Sequence, residues 1–182
     1  MDSKFHACRG RVSFGCLAAI LLAGSLSAAD WPMYLFNPGH SSFNADEKQL
    51  GTADVSLLQP AWTISARAPL ASAVTVADGI LYFGAWDGNF YAVNASDGSL
   101  IWRQFVGKAP TPEDAACMAG IGVSSQAVLV GDRVYVGGGD AALYALDKFT
   151  GAVVSRTAVG NPNDGAYIWS SITVSKGALY LG

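Results

Sequence analysis

Two stretches of the chain, 53 residues apart, carry nearly the same sequence. The first is LYFGAWDGNFYAVNASDGSLIW, from Leu81 to Trp102, and the second is VYVGGGDAALYALDKFTGAVVS, from Val134 to Ser155. A third copy opens with LYLG at Leu179. Self-similarity at such a spacing is typical of proteins that stack copies of one supersecondary unit. The repeat therefore restricts the fold to an array or a ring of such units.

Several residue types keep one register through the copies. The aligned sets are Tyr82, Tyr135 and Tyr180; Gly84, Gly137 and Gly182; and Ser72, Ser125 and Ser170. Within a copy, short β-rich runs are separated by Asp-Gly pairs, at Asp78–Gly79 and at Asp87–Gly88. Such a pair favours a two-residue type I′ hairpin loop, because both positions need a positive φ. Each copy is therefore predicted to contain antiparallel hairpins.

The strands of one copy add up to a four-stranded antiparallel meander, which is the unit of a β-propeller blade. A β-helix would repeat at a much shorter period, and a β-sandwich would not explain near-identical copies. The predicted fold class is all-β. It is a partial β-propeller with two full blades, part of a third, and an orphan outer strand near Trp62. The propeller is assigned to residues 60–182, and residues 30–59 form a segment that leads into it.

Residues 1–29 have the pattern of a secretory signal peptide. Lys4, Arg9 and Arg11 form a basic start, an apolar run follows at Phe14–Leu26, and small residues end it at Ser27–Ala29. The apolar run is too short for a membrane helix, so cleavage is predicted between Ala29 and Asp30. This places the protein in the periplasm or outside the cell.

Charge and residue content exclude several function classes. The formal net charge is −3 and there is no basic stripe, which argues against nucleic acid and anionic membranes as partners. No stretch after residue 30 is long and apolar enough to span a bilayer. Cleavage would leave Cys117 as a lone cysteine, either an inert thiol or one that has lost its partner. His40 has no convincing serine or cysteine partner, so a hydrolytic triad is not supported and the catalytic residues are unknown.

The turn sequences add a family resemblance. AVNASDGSLIW, at Ala92–Trp102, resembles the A-x-D-x-x-T-G-x-x-x-W pattern of pyrroloquinoline-quinone-type propeller repeats. ALDKFTGAVVS, at Ala145–Ser155, matches the Asp, Thr and Gly of that pattern. The Asp or Asn side chain can cap the turn, and the Gly can take a positive φ. The resemblance implies that Trp102 packs between neighbouring blades, whereas Ser155 departs from the pattern.

The segment before the repeats resembles the opening of quinoprotein dehydrogenases. It reads DWPMYLFNPGHSSFNADEKQLGTADVSLLQPAW, from Asp30 to Trp62. Leu35 stands where a Gly is usual in this opening, and Gly51 where an Asn is usual. YIWSS at Tyr167–Ser171 and GGGD at Gly137–Asp140 resemble the polyvinyl-alcohol-dehydrogenase-like group of these proteins.

The resemblance implies that the parent protein is an exported oxidoreductase acting on a small-molecule or polymeric alcohol. Its cofactors would be pyrroloquinoline quinone and Ca²⁺, bound at the funnel on one face of the propeller. Trp169 and Cys117 are the candidate cofactor-binding residues, and Glu113 and Asp114 are candidate Ca²⁺ ligands. The alternatives are packing between blades for Trp169 and solvated loop charges for the two carboxylates. The alternative is a propeller without cofactor that serves as a protein-binding scaffold, like the outer-membrane assembly factors that share the repeat.

The number of copies predicts that this chain is an N-terminal fragment. Propellers have about four to eight blades, whereas two blades and part of a third are encoded here. Most of a funnel ligand set would then be absent, so the chain by itself is expected to hold no cofactor tightly and to be inactive. Free sheet faces and strand edges favour self-association.

Overall fold

The structure is a computed structural model, and it describes residues 30–48, 50–110 and 120–182. These residues are almost entirely β-structure and loops, with two short 3-10 turns at Val55–Leu57 and Pro162–Asp164. The predicted signal peptide, residues 1–29, lies outside the described residues. A search of the described residues for a helix long and apolar enough to cross a membrane found none.

The strands form three antiparallel sheets, one for each copy of the repeat. The first sheet contains β1 (Thr75–Ala77), β2 (Ile80–Gly84), β3 (Asn89–Asn94) and β4 (Leu100–Phe105); the second contains β5 (Val128–Val130), β6 (Arg133–Gly137), β7 (Ala142–Asp147) and β8 (Val153–Ala158); the third contains β9 (Thr173–Ser175) and β10 (Ala178–Tyr180). Within each sheet the strands pair in chain order. The predicted meanders and their register are thereby confirmed.

The Asp78–Gly79 loop joins β1 to β2 as the sequence predicts. Both residues have a positive φ, 52° for Asp78 and 73° for Gly79. The third sheet has an equivalent loop at Lys176–Gly177, with φ values of 48° and 77°. Both loops are therefore two-residue hairpins of the primed type.

The prediction of a two-residue loop at Asp87–Gly88 is wrong. The connection from β2 to β3 includes Ala85 and Trp86, and only Gly88 in it has a positive φ, 83°. The Ala85 amide donates to the Asn89 carbonyl at 3.0 Å, and the Gly88 amide donates to the Ala85 carbonyl at 3.1 Å. The side chain of Asp87 accepts the Asn89 amide at 2.9 Å. Asp87 thus caps a longer turn, in which one left-handed residue suffices.

The three aligned serines make the same contact in every sheet. Each lies ahead of the innermost strand and bonds to the glycine twelve residues later. Ser72 Oγ accepts the Gly84 amide at 2.7 Å, Ser125 Oγ accepts the Gly137 amide at 2.9 Å, and Ser170 Oγ accepts the Gly182 amide at 2.6 Å. This bond satisfies a backbone donor that lies beyond the end of the ladder between the two innermost strands. The conserved register of the serines therefore has a structural cause.

The longer turns before β4 and β8 are capped as the sequence predicts. Asn94 Oδ1 accepts the Ser96 amide at 2.9 Å, and Asp147 Oδ1 accepts the Thr150 amide at 2.9 Å. Gly98 and Gly151 complete these turns with φ values of 72° and 73°. Hydrogen bonds from the Thr150 side chain and amide hold the pKa of Asp147 below its usual value. The charged carboxylate is therefore the form that stabilises this turn.

A tryptophan from one sheet lies over the turn glycine of the next. Trp102 in β4 packs on Gly151, and its Nε1 donates to the Lys148 carbonyl at 2.9 Å. A Cβ on Gly151 would lie 2.6 Å from Trp102 Cε3, so only glycine fits under the ring. Trp62 repeats the arrangement over Gly98. The predicted packing of Trp102 between blades is confirmed.

The first and second sheets enclose a continuous apolar core. Tyr82, Phe90 and Trp102 contribute to it from the first sheet, and Val134 and Leu146 from the second. Close to this core, Lys148 Nζ lies 2.8 Å from Asp78 Oδ2 and so links the turns of the two sheets. Sheets that are apolar on both faces are stabilised by burying one face on the next sheet.

The segment around Trp62 covers the other face of the first sheet. Trp62, Ile64 and Ala66 point inwards onto Phe83 and Tyr91, and the residues between them are exposed. The segment belongs to none of the three sheets of the described residues, which agrees with the orphan outer strand predicted there.

Candidate functional site

The candidate site lies at the end of the sheets where the turns Ala85–Gly88 and Gly138–Ala141 join β2 to β3 and β6 to β7. We call this side of the molecule the funnel face. The connections that follow β4 and β8 reach the same face. The first of these connections includes residues 111–119, which lie outside the described residues. Three sequence-predicted site residues, Glu113, Asp114 and Cys117, fall in this range. Their proposed roles therefore stay predictions.

A chain of four hydrogen-bonded groups crosses the funnel face and joins all three copies. Trp86 Nε1 donates to Ser124 Oγ at 3.1 Å. Ser124 Oγ lies 2.9 Å from Tyr167 Oη, which donates in turn to the Gly122 carbonyl. Because the carbonyl can only accept, the Tyr167 proton is committed to it, and the Ser124 hydroxyl must donate to Tyr167. The chain of donors thus runs from Trp86 through Ser124 and Tyr167 to Gly122.

Burial of the Tyr167 phenol raises its pKa above the usual value. The phenol therefore keeps its proton at neutral pH, and its hydrogen bond is a fixed structural link. Tyr167 Oη thus donates to the Gly122 carbonyl and accepts from the Ser124 hydroxyl. Sequence reasoning missed Ser124 and Tyr167 as a pair. The available signal was that they break the repeat, since Tyr167 aligns with Gly122 and Ser124 with Trp169.

The candidate cofactor-binding residue Trp169 lies next to this chain. Its ring packs on Tyr167 with a centroid separation of 4.8 Å and an interplanar angle of 59°. The side chain is 54% exposed, compared with 8% for the inter-sheet residue Trp102. Trp169 is therefore not used to join described sheets, and a large part of its surface is open to a planar ligand.

The carboxylates of the funnel-face turns have structural partners. The Tyr91 hydroxyl donates to Asp87 Oδ2, and the Tyr144 hydroxyl donates to Asp140 Oδ2 at 2.8 Å. Arg156 Nη2 also donates to Asp140 Oδ2, at 2.7 Å. Burial raises the pKa of Asp87, but the bonds from Tyr91 and Asn89 outweigh it, and the pKa lies below its usual value. These bonds stabilise the turns, and they leave Asp140 Oδ1 buried without a hydrogen-bond partner among the described residues.

A cavity of about 300 Å³ opens beside the second and third sheets, lined in part by Ala141, Gly160 and Tyr167. Gly160 corresponds to Gly107 in the preceding copy. A Cβ on Gly107 would lie 2.5 Å from the Cγ of Asp140, so the equivalent space between the first and second sheets is filled by the Gly138–Ala141 turn. The cavity beside Gly160 therefore occupies the position that this turn fills in the preceding copy. We assign no ligand to it.

The model of the PQQ_2 family matches residues 45–181. Its description is "Outer membrane protein assembly factor BamB". This range contains both complete sheets and the two tryptophan–glycine contacts. The chain belongs to the PQQ_2 family. The resemblance to pyrroloquinoline-quinone-type propeller repeats is therefore confirmed.

Curated relatives of this PQQ_2 chain are quinone-dependent alcohol dehydrogenases by name. The 1-butanol dehydrogenase (quinone) of Thauera butanivorans is 33% identical over 118 residues, which cover 63% of this chain and 18% of the relative. The quinoprotein ethanol dehydrogenase of Pseudomonas aeruginosa is 29% identical over 133 residues, covering 71% of this chain and 21% of the relative. The chain thus spans about a fifth of the length of these two enzymes.

Solved structures place the PQQ_2 chain among propellers. The quinohemoprotein alcohol dehydrogenase from Comamonas testosteroni superposes with a TM-score of 0.67 and 25% identity, covering 88% of this chain and 24% of that one. BamB from Moraxella catarrhalis superposes with a TM-score of 0.56 and 19% identity, covering 67% of this chain and 37% of that one. The second likeness shows the fold alone.

The described residues of the PQQ_2 chain do not fit a Ca²⁺ site. A Ca²⁺ ion takes six to eight oxygen ligands, usually including several carboxylates. Within residues 30–48, 50–110 and 120–182, no three His, Cys, Asp or Glu side chains are grouped so that they could hold a metal ion. On the funnel face Asp87 and Asp140 are already engaged by tyrosine and arginine side chains. We therefore derive no catalytic step through a metal-bound quinone from these residues.

Proposed function

We propose that residues 30–182 are neighbouring sheets of an exported quinone-dependent alcohol dehydrogenase of the propeller type. The observation that carries the proposal is the 33% identity to the 1-butanol dehydrogenase (quinone) of Thauera butanivorans. The Comamonas testosteroni alcohol dehydrogenase supports it, because its likeness covers 88% of this chain. The proposed substrate class is alcohols, either small molecules or a polymer such as polyvinyl alcohol.

In such an enzyme a bound quinone would supply the hydride acceptor for alcohol oxidation. The part we assign to this chain is the wall of the funnel. Trp169 offers an exposed aromatic face for a planar group, and Tyr167, held by Ser124 and Gly122, fixes the orientation of that face. Cys117, Glu113 and Asp114 are proposed to complete the cofactor and Ca²⁺ contacts together with the rest of the ring.

The scaffold alternative is supported by the description of the family model, which is that of an outer-membrane assembly factor. A protein-binding propeller needs no cofactor, so the two functions differ in a measurable way. The native protein, recovered from its source with an antibody against residues 44–58, would be assayed for dye-linked oxidation of 1-butanol and polyvinyl alcohol. Turnover that requires added quinone and Ca²⁺ supports the enzyme. Lack of turnover in the quinone-loaded protein would favour the scaffold.

We expect residues 30–182 by themselves to bind the quinone more weakly than micromolar and to show no alcohol oxidation. The reason is that a funnel ligand is held by groups from many blades, of which this stretch supplies a few. Isothermal calorimetry with pyrroloquinoline quinone and Ca²⁺, and a dye-reduction assay, would measure both properties. Light scattering on the same sample would test the self-association that free sheet faces favour. A stable monomer with micromolar quinone affinity would contradict this expectation of weak binding.

Export is proposed from the pattern of residues 4–29. The expected product in the periplasm starts at Asp30, because a signal peptidase selects the small residues at Ser27–Ala29. Intact-mass measurement of the periplasmic protein would identify the first residue. A mass that still includes residues 1–29 would show that the segment is retained.

A further inference from the structure

We propose that residues 30–43, which we call the axial strap, close the propeller axis at the end opposite the funnel face. The strap crosses the innermost strands of all three sheets, and these strands line the axis of a propeller. If it closes that end, a ligand reaches the axis only from the side of Trp86 and Tyr167. The closure follows from contacts of this chain alone, whereas its meaning for ligand access rests on the proposed function.

The strap begins at the far end of the first sheet. Asp30 Oδ1 accepts the Asp78 amide at 3.0 Å, and Asp78 lies in the β1–β2 loop, away from the funnel face. Trp31 then pairs with Val76 of β1 through two backbone hydrogen bonds of 2.7 and 3.0 Å. The strap therefore occupies the free edge of the innermost strand, which would otherwise face the axis.

The next residues cross to the second and third sheets. The Pro32 carbonyl accepts the amide of Leu129 in β5 at 3.3 Å. Met33 is only 3% exposed, because it packs with Val128 of β5 and with Ile172, just before β9. Farther along, His40 Nε2 lies 3.4 Å from Thr173 Oγ1 of β9. One short segment thus contacts the inner strand of every sheet.

The layer beneath the strap is sealed by hydrogen bonds between the inner strands. Thr75 Oγ1 donates to the Ala127 carbonyl at 2.8 Å, and Gln126 Nε2 donates to the Val74 carbonyl at 2.9 Å. Thr75 and Gln126 are both buried. Polar groups so placed need partners because water does not reach them. The strap and this layer together bury Thr75 of β1 and Val128 of β5.

The strap is held in a compact shape after Met33. The Phe36 amide donates to the Met33 carbonyl at 3.1 Å, and the Ser42 amide donates to the Leu35 carbonyl at 3.1 Å. Leu35 and Phe36 have positive φ values of 54° and 78°, a conformation that costs about 1 to 2 kcal/mol for residues other than glycine. Backbone strain of this kind persists where surrounding contacts fix it. The strap is therefore a defined structural element rather than a loose leader.

Thiol labelling of the full chain tests the closure. The background has Cys8, Cys16 and Cys117 all replaced by serine. It would carry either Val128→Cys, at a site beneath Met33 where the native valine is 1% exposed, or Val130→Cys, at a site where the native valine is 43% exposed. We expect a maleimide to modify the first cysteine about 100-fold more slowly than the second. Adding Met33→Ala should raise the rate at position 128 about 10-fold and leave the rate at position 130 unchanged.

A third cysteine distinguishes local uncovering from general loosening. Val134→Cys lies in the core between the first and second sheets, away from the strap, and is also buried. Acceleration by Met33→Ala at position 128 but not at position 134 supports the strap as a cover. Three outcomes would overturn the proposal: equal acceleration of labelling at positions 128 and 134, no acceleration at position 128, or rapid labelling of Val128→Cys while Met33 is intact. None of these readouts needs quinone or alcohol, so failure of the proposed function would leave them unaffected.

Discussion

Replacing Gly151 by alanine is expected to lower the free energy of unfolding by about 2 to 4 kcal/mol. Two effects add up. A φ of 73° costs a residue with a Cβ about 1 to 2 kcal/mol, and the new methyl group would lie 2.6 Å from Trp102 Cε3, which forces the sheets apart. Urea unfolding followed by far-UV circular dichroism measures the change.

Gly79→Ala is the matched control for this substitution. Gly79 has the same φ, 73°, but a Cβ there would have no neighbour within 4 Å. Its replacement should cost only about 1 kcal/mol, since alanine also reduces the entropy of the unfolded chain. Equal losses for Gly151→Ala and Gly79→Ala would show that Trp102 does not rest on Gly151.

Truncating Trp102 to alanine is expected to cost about 3 to 5 kcal/mol, the usual range for a buried aromatic residue. The ring is 8% exposed and contacts both sheets, and its loss also leaves the Lys148 carbonyl without the indole donor. Trp169→Ala provides the control, because that ring is 54% exposed. It should cost less than about 1 kcal/mol. Similar losses for the two tryptophans would contradict the assignment of Trp102 as the inter-sheet contact.

Sequence could predict those parts of the fold that local patterns determine. The copies at Tyr82 and Tyr135 indicated the register, and the Asx turns at Asn94 and Asp147 follow from residues a few positions apart. The turn at Asp87 was misassigned because Ala85 and Trp86 resemble strand residues. The side chain of Asp87 accepts the Asn89 amide and so caps a turn that begins after Gly84. Hydrophobic periodicity does not predict such a hydrogen bond.

The long-range features could not be predicted in the same way. Ser124 and Tyr167 are 43 residues apart, and their contact depends on how the second and third sheets stack. The axial strap has no periodicity that would predict its contacts with the three inner strands. One trace was the resemblance to the quinoprotein opening, which implies a Gly at the position of Leu35. Its φ of 54° explains why glycine suits that position.

A double-mutant cycle on Trp102 and Gly151 tests most directly that successive sheets are joined by a tryptophan over a turn glycine. The free energy of unfolding would be measured for Trp102→Ala, Gly151→Ala and the double variant. In the Trp102→Ala background the overlap with the new methyl group is gone, so Gly151→Ala should cost only as much as Gly79→Ala. The account predicts a coupling of about 1 to 3 kcal/mol, the range for residues in contact. Additive losses, with a coupling near zero, would contradict it.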